Sequence, residues 1–140
     1  MREDQEPLLL DTSVWVHSLR RRGWADLRAA VQQALDADRV ATCWVVRAEL
    51  LIGARDPAGI ERLSAQLSGL PDVLITATVW DQAARLGYAL RRQGLVVRLP
   101  DLLIAQCAIS TGRVLWHADA DFERLRQLSA LRTRHWVAAE

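Results

Sequence analysis

The sequence predicts an α/β fold with a mainly parallel sheet, formed as a single domain over residues 1–140. Short apolar runs alternate with longer segments in which apolar residues recur at the 3.6-residue period of a helix. This alternation is typical of parallel strands joined by right-handed crossovers, with helices on both faces of the sheet. With 140 residues, 51% of them hydrophobic, the chain can bury one substantial core.

The first half of the chain supplies two predicted strands and four predicted helices. Residues 8–10 are three leucines followed by Asp11, which is typical of a buried strand. The apolar run at 40–42 predicts the second strand. Helical spacing of apolar residues, together with stops at Gly53 and Gly69, predicts helices at 13–19, 24–37, 44–54 and 60–70.

The second half continues the alternation. The apolar runs at 73–75 and 114–116 predict two more strands, and 135–137 predicts a last strand at the edge of the sheet. Glycines and a proline delimit the helices between them, because glycine favours helix ends and proline favours helix starts. These helices are predicted at 77–93, 101–111 and 121–128. The expected architecture is a three-layer α/β/α sandwich around a five-stranded sheet.

The composition excludes several classes of protein. All 18 basic residues are arginine, so a mechanism that needs a lysine is excluded. Cys43 and Cys107 have neither the number nor the spacing of a disulfide framework or a zinc site, and we expect buried thiols. No apolar run approaches the roughly 20 residues of a membrane span. The charged N-terminus lacks the pattern of a secretory signal, so we expect a cytoplasmic protein without membrane contact.

Acidic residues lie at positions where the pattern places the carboxyl ends of strands or the starts of helices. Asp11 follows the first strand, and Asp119 and Asp121 follow the strand at 114–116. Each aspartate, taken alone, can be explained as a turn or capping residue. Together they predict one acidic crevice, because ligands of open parallel sheets bind beyond the carboxyl ends of the strands.

Two further acids lie on helix faces that are otherwise apolar. Glu49 shares a face with Val45, Ala48 and Ile52, and Asp101 shares one with residues 104, 105 and 108. The alternatives are a partly exposed Glu49 and an Asp101 that caps its helix. Carboxylates that converge repel one another by about 4 kcal/mol per close pair at an effective dielectric near 20, so the cluster requires a cation.

The predicted ligands are all oxygens. Oxygen ligands without a histidine or cysteine cluster favour Mg²⁺ or Mn²⁺ over zinc. Such an ion activates water and stabilises charge on a phosphoryl oxygen, which is the chemistry of phosphodiester hydrolysis.

Four segments resemble the PIN domains, and among them the VapC-type toxins of bacterial toxin–antitoxin pairs. The segments lie in order along nearly the whole chain, at residues 9–15 (LLDTSVW), 46–53 (VRAELLIG), 99–105 (LPDLLIA) and 119–125 (DADFERL). Each segment is a weak signal alone, and together they are a strong one.

The resemblance implies a metal-dependent endoribonuclease with a quartet of catalytic acids, Asp11, Glu49, Asp101 and Asp119. Of these, Asp11, Asp101 and Asp119 are the expected metal ligands, with Asp121 as a further ligand that binds directly or through water. Ser13 matches the hydroxyl residue that helps to hold the site together. His117 stands where the family commonly has threonine, which puts the usual hydroxyl contact in doubt.

The resemblance also implies partners: an RNA substrate, a VapB-like antitoxin and a second copy of the chain in a homodimer. Arg47 and Arg20 are candidates for contact with RNA phosphates, although a solvated run of charge also explains Arg20 and its neighbours.

Three other functions fit parts of the pattern. A phosphoacceptor receiver domain needs a lysine that this chain lacks. A haloacid-dehalogenase-like phosphatase needs a second aspartate at position 13, where this chain has Ser13. The remaining alternative is a catalytically silent PIN module that acts as a binding subunit in RNA processing, and the intact set of acids argues against it.

Overall fold

The computed structural model describes residues 2–138 of the chain. A short 3-10 helix at Glu3–Gln5 precedes the main elements. In chain order these are β1 (Leu8–Leu10), α1 (Thr12–Ser18), α2 (Ala25–Asp36), β2 (Val40–Ala41), α3 (Trp44–Ile52), α4 (Pro57–Ser68), α5 (Ala77–Arg92), α6 (Leu99–Thr111), β3 (Val114–His117), α7 (Asp121–Gln127) and β4 (Thr133–His135). The predicted α/β fold with a parallel sheet is confirmed.

The described strands form one sheet in the order β2-β1-β3-β4, and every pair in it is parallel. Leu9 of β1 lies between Ala41 of β2 and Leu115 of β3. Because all strands run the same way, the loops that follow β1, β2 and β3 leave the sheet at one edge. This edge carries Asp11 and Asp119.

The five-stranded sheet predicted from the sequence is wrong in number, because residues 73–75 do not form a strand. Their contact with the sheet is a single parallel bridge between Thr42 and Asp72, in which the Val73 amide donates to the Thr42 carbonyl at 2.7 Å. Leu74 is 69% exposed, and the chain turns at once into α5, where the Thr76 hydroxyl caps the helix. An apolar run of three residues is here a connection rather than a strand.

The last strand lies at 133–135, two residues before its predicted position at 135–137. Thr133 pairs with Leu115 and His135 pairs with His117, so the strand consists of polar residues. Its side chains are partly or fully exposed because it forms the edge of the sheet. Trp136, which the pattern placed inside the strand, still donates its amide to the His117 carbonyl at 2.7 Å.

Local capping sets the starts of three helices. Asp11 accepts from the Ser13 amide at the start of α1, Asp56 accepts from the Gly59 amide at the start of α4, and Thr76 caps α5. These side chains satisfy amide groups that have no partner within the helix. The cap at Asp56 explains why α4 begins at Pro57, three residues before the predicted start.

The core lies on both faces of the sheet and is closed on one side by α6. Residues 102–108 of α6 are all buried, since this helix packs against α5, α3 and β3. The leucines of β1 and Leu115 of β3 are also almost fully buried. Burial of each such side chain contributes about 1.5–3 kcal/mol, so the sheet that carries the acidic loops is firmly held in the core.

Both cysteines are free and buried, as predicted. Within residues 2–138, none of the helices combines the length and the apolar character that a membrane crossing requires.

Candidate acidic site

Asp11 ends β1 and turns its carboxylate back onto the start of α1. Its Oδ2 accepts hydrogen bonds from the Ser13 amide at 3.0 Å and from the Ser13 hydroxyl at 2.5 Å. The side chain is only 5% exposed. Burial raises the pKa of Asp11, and Glu49 raises it further, while the bonds from Ser13 oppose this shift. Asp11 is therefore a buried acid held by its own turn and influenced by a second carboxylate.

Glu49 reaches the same crevice from α3. Its Oε1 accepts a 2.8 Å hydrogen bond from the Thr12 hydroxyl, which lies next to Asp11 in sequence. The expectation that Glu49 shares a buried apolar face is wrong, because Ile52 is 85% exposed and the core-facing residues of α3 are Val46, Arg47 and Leu50. Glu49 instead lies, partly exposed, on the border between the core and the crevice.

Asp101 lies in the first turn of α6, directly after Pro100. Its pKa is raised to about 6 by burial and by the charges of Asp11, Asp119 and Glu49, which together outweigh the opposing effect of Arg98. The raised pKa therefore records the proximity of all four carboxylates. Residues 104, 105 and 108 on the same face of the helix are fully buried, as the sequence pattern indicated.

Asp119 lies in the short loop between β3 and α7. Its Oδ1 accepts from the Asp121 amide at 3.0 Å, so the aspartate is tied to its own loop. Asp121 is exposed in the first turn of α7. The contribution of Asp121 in this structure is its backbone amide, and its carboxylate accepts no hydrogen bond from the described residues.

Ser13 connects the loops that follow β1 and β3. Its hydroxyl donates to Asp11 and accepts from the Ala118 amide at 3.0 Å. The residue that sequence comparison identified as a support for the site thus links Asp11 to the residue before Asp119.

His117 takes part in a second connection to Asp119. Its Nδ1 accepts from the Asp119 amide at 3.2 Å, and its Nε2 lies 2.8 Å from Glu123 Oε1. The ring is fully buried, and this burial lowers the pKa of His117. Both ring nitrogens are occupied by protein groups, which fits a local hydrogen-bonding residue and leaves no nitrogen free for a metal.

Glu123 and Thr133 are parts of the site that sequence reasoning missed. Besides His117, Glu123 accepts from the Thr133 hydroxyl at 2.6 Å and from Arg126 Nε at 2.9 Å. Partial burial opposes ionisation of Glu123, but hydrogen bonds from Thr133, His117 and Arg126 lower its pKa to about 2. Glu123 falls inside the segment at 119–125, yet nothing in the sequence indicates that it faces the ring of His117.

The donor set fits a hard divalent cation. Asp11, Glu49 and Asp119 each use one carboxylate oxygen in the hydrogen bonds given above, and the second oxygen of each accepts none from residues 2–138. In that part of the chain, no three acidic, histidine or cysteine side chains are yet gathered at ligand distance. Ligation would therefore require the side chains of these acids to move closer together.

Arg20 and Arg47 differ in accessibility. Arg20 is exposed at the end of α1, beside Arg21 and Arg22. Arg47 is only 8% exposed: its guanidinium lies 3.9 Å from the centre of the Trp44 ring, and its Nη2 donates to the Ser68 hydroxyl. This burial disfavours contact between Arg47 and an RNA phosphate.

A cavity of ≈760 Å³ lies away from the candidate catalytic acids, between the N-terminal segment, α2 and the β3–β4 side of the sheet. Arg39, Arg132 and Arg134 line it, and none of the four candidate catalytic acids does. The electrostatic interactions among the acids, rather than the size of a cavity, therefore identify the candidate site.

Comparison with known proteins agrees with the geometry. Residues 8–128 match the PIN domain family. Ribonuclease VapC18 of Mycobacterium tuberculosis is 30% identical over 135 residues, which cover 91% of this chain and 93% of the relative. Ribonuclease VapC11 of the same species is 33% identical over 129 residues, covering 89% and 95%.

Solved structures of VapBC proteins share the fold. VapBC-5 from Mycobacterium tuberculosis has a chain that aligns with a TM-score of 0.65 at 26% identity, covering 94% of this chain and 99% of that one. A chain of VapBC2 from Rickettsia felis aligns with a TM-score of 0.76 at 20% identity, covering 92% and 98%. The match over residues 8–128, together with relatives at 30% identity or more along almost the whole chain, shows that this protein belongs to the PIN domain family, among the VapC ribonucleases.

Proposed function

We propose that this chain is an endoribonuclease that uses Mg²⁺ or Mn²⁺ and acts as the toxin of a VapBC-type toxin–antitoxin pair. The single observation that carries the proposal is the raised pKa of Asp101, since the charges of Asp11, Asp119 and Glu49, which lie on different loops or helices, add to the effect of burial. Such a cluster is stabilised by a divalent cation, and its oxygen donors match those that Mg²⁺ and Mn²⁺ prefer.

Asp11, Asp101 and Asp119 are the residues that would hold the ion, with Asp121 as a further ligand, directly or through water. When bound, the ion supplies charge stabilisation at a phosphoryl oxygen and lowers the pKa of water. The second oxygen of Asp11 and that of Asp119 are free for this role, while the first is used to hold each side chain in place.

Glu49 would orient the attacking water and accept its proton, or complete a second metal site. The hydrogen bond from Thr12 holds one of its oxygens, and the other, which accepts no hydrogen bond from residues 2–138, would serve as the base. Because Thr12 adjoins Asp11, this bond also sets the distance between the base and the candidate metal ligands.

The proposal includes the partners of the related proteins. VapBC-5 is a member of the VapBC family of toxin–antitoxin systems, and VapBC2 was solved bound to a DNA fragment from the promoter. We propose that this chain likewise pairs with a small VapB-like antitoxin and that it forms a homodimer.

The test is cleavage of a panel of structured RNAs, including transfer RNA, by the purified chain. Wild type is compared with Asp101→Asn and with Asp36→Asn, an exposed aspartate on α2, in Mg²⁺, in Mn²⁺ and in EDTA. We expect cleavage that requires the ion, that Asp101→Asn loses and that Asp36→Asn keeps. Absence of cleavage, with no binding of metal in calorimetry, would support the silent binding module instead.

A further inference from the structure

The position of the Asp119 carboxylate depends on the position of the loop that carries it. This loop has only residues 118–120 between the end of β3 and the start of α7. Since Asp119 Oδ1 accepts from the Asp121 amide at the start of α7, a shift of this short segment of backbone moves the carboxylate with it. The contacts that hold the loop backbone therefore decide where the Asp119 carboxylate lies.

Two successive amides of this loop are held by side chains. The Ala118 amide donates to the Ser13 hydroxyl, and the Asp119 amide donates to His117 Nδ1. The first contact uses the hydroxyl already linked to Asp11. The second uses an imidazole at a position where the sequence comparison led us to expect a threonine.

The Asp119 amide can donate to His117 only if Nδ1 carries no proton. The single ring proton of the neutral imidazole must then lie on Nε2, where it donates to Glu123 Oε1 at 2.8 Å. Glu123 is itself fixed by the hydroxyl of Thr133 on β4 and by Arg126 on its own helix. The carboxylate at one end of the imidazole thus selects the tautomer that accepts the Asp119 amide at the other end.

Packing prevents the ring from turning away. The side chain of His117 has no exposed surface, and its ring lies parallel to that of His135, with the ring centres 4.7 Å apart. On another side, the ring of Phe122 lies 5.2 Å away. A rotation that released the Asp119 amide would also break the bond to Glu123 in a buried place, which is costly.

We propose that His117 is a positioning residue of the acidic site: held as the Nε2–H tautomer by Glu123, it fixes the Asp119 backbone and so places the Asp119 carboxylate for ligation of the divalent ion. This inference rests on the proposed function for the identity of the bound ion. The hydrogen bonds around His117 are present in the metal-free chain and do not depend on that function. Residues in this supporting role around metal sites typically change metal affinity or activity by 10–100-fold when replaced.

Two substitutions at His117 separate its two contacts. Asparagine places its side-chain oxygen close to the position of Nδ1, so His117→Asn keeps an acceptor for the Asp119 amide and loses the bond to Glu123. Glutamine places its amide nitrogen close to the position of Nε2, so His117→Gln keeps the bond to Glu123 and leaves the Asp119 amide without its acceptor. Arg124→Gln, at an exposed position on α7 next to Glu123, is the matched control.

The experiment combines nitrogen-15 NMR of the metal-free chain, thermal unfolding and titration with Mn²⁺ alone. The chain has three histidines, so the ring nitrogens of His117 can be assigned. We expect the Nε2–H tautomer in wild type, a displaced Asp119 amide resonance in His117→Gln, and a loss of about tenfold or more in its Mn²⁺ affinity. His117→Asn should bind Mn²⁺ more tightly than His117→Gln even where the two melt at the same temperature, and Arg124→Gln should match wild type.

A proton on Nδ1 of wild-type His117 would overturn the proposal, whether or not the chain cleaves RNA. So would equal Mn²⁺ affinity in wild type and His117→Gln, or affinities of the two His117 variants that simply follow their thermal stability. Failure of the proposed function would give a different result from failure of this inference, because the wild-type chain itself would then bind no Mn²⁺ and cleave no RNA.

Discussion

The hydroxyl of Ser13 lies between Asp11 and the Ala118 amide, donating to the carboxylate at 2.5 Å and accepting from the amide at 3.0 Å. Ser13 and Ala118 are 105 residues apart in sequence, yet their contact joins the segments that follow the neighbouring strands β1 and β3. One side chain thereby couples the position of Asp11 to that of the loop that carries Asp119.

Ser13→Ala should destabilise the chain and weaken metal binding. It leaves the partly buried Ala118 amide without an acceptor, which costs about 1–3 kcal/mol, and it removes one of the two bonds that hold the Asp11 carboxylate. The matched control is Ser18→Ala on the same helix. The Ser18 hydroxyl donates to the Trp15 carbonyl, which also accepts from the Leu19 amide, so its loss leaves no group unpaired.

Denaturant unfolding and Mn²⁺ titration of both serine variants measure the difference. We expect Ser18→Ala to remain within about 0.5 kcal/mol of wild type and to keep its metal affinity. If Ser13→Ala had the same unfolding free energy and Mn²⁺ affinity as Ser18→Ala, the link through Ser13 would contribute neither to stability nor to metal binding.

Asp101 should make the metal-free chain less stable as pH rises through the range between pH 4 and about pH 6. Its folded pKa is about 6 against an ordinary value of 3.8, so in this range the folded chain binds the proton more tightly than the unfolded chain does. The unfolding free energy then falls with rising pH, because the unfolded state binds fewer protons. Above pH 6 the full destabilisation remains.

Asp101→Asn should weaken this pH dependence, leaving the part that comes from the raised pKa of Asp11, and should stabilise the metal-free chain at pH 7. The measurement is the unfolding free energy at several pH values in EDTA, with Asp81→Asn as the control, since Asp81 is an exposed residue on α5 paired with Arg85. A slope that persists unchanged in Asp101→Asn would show that another group causes it.

Leu115 and Leu74 test which apolar runs form the sheet. Leu115 on β3 is fully buried and lies between β1 and β4, so Leu115→Ala should cost about 2–5 kcal/mol in unfolding free energy. Leu74 lies in the segment that the sequence predicted as a strand, but it is 69% exposed. Leu74→Ala should therefore change the stability by less than about 0.5 kcal/mol. A large loss at Leu74 would indicate that a partner covers this segment or that it belongs to the sheet.

The sequence predicted the order and type of the elements because hydrophobic periodicity reports burial directly. It could not distinguish residues 73–75 from a strand, since three apolar residues suit either a strand or a connection that anchors Val73 and leaves Leu74 exposed. The polar strand at 133–135 was misplaced for the opposite reason. An edge strand is stabilised by backbone pairing with β3, and backbone pairing leaves no apolar signature.

For the site, the positions of Asp11 and Asp119 just after strands predicted that both lie at one end of the sheet, because parallel topology places all such ends together. Asp101 was predicted to join them from the start of a helix, and the effect of their charges on its pKa agrees with this. Glu49 reached the crevice although the buried helix face inferred for it was wrong. Glu123 and Thr133 could not have been predicted, since their role depends on the orientation of a buried imidazole between β3, α7 and β4. Side-chain pairing across elements is a three-dimensional property that spacing does not encode.

Arg20 and Arg47 should contribute differently to RNA binding. Arg20 is exposed, whereas Arg47 is buried, with its guanidinium packed on Trp44 and bonded to Ser68. In the Asp101→Asn background, which keeps the RNA intact, Arg20→Gln should lower the slope of log affinity against log salt concentration by about one, as expected for one lost phosphate contact. Arg47→Met should leave that slope unchanged, provided that thermal unfolding shows a folded chain. A lower slope in Arg47→Met would mean that the guanidinium leaves its pocket to meet RNA, and an unchanged slope in Arg20→Gln would mean that Arg20 belongs to a solvated run of charge.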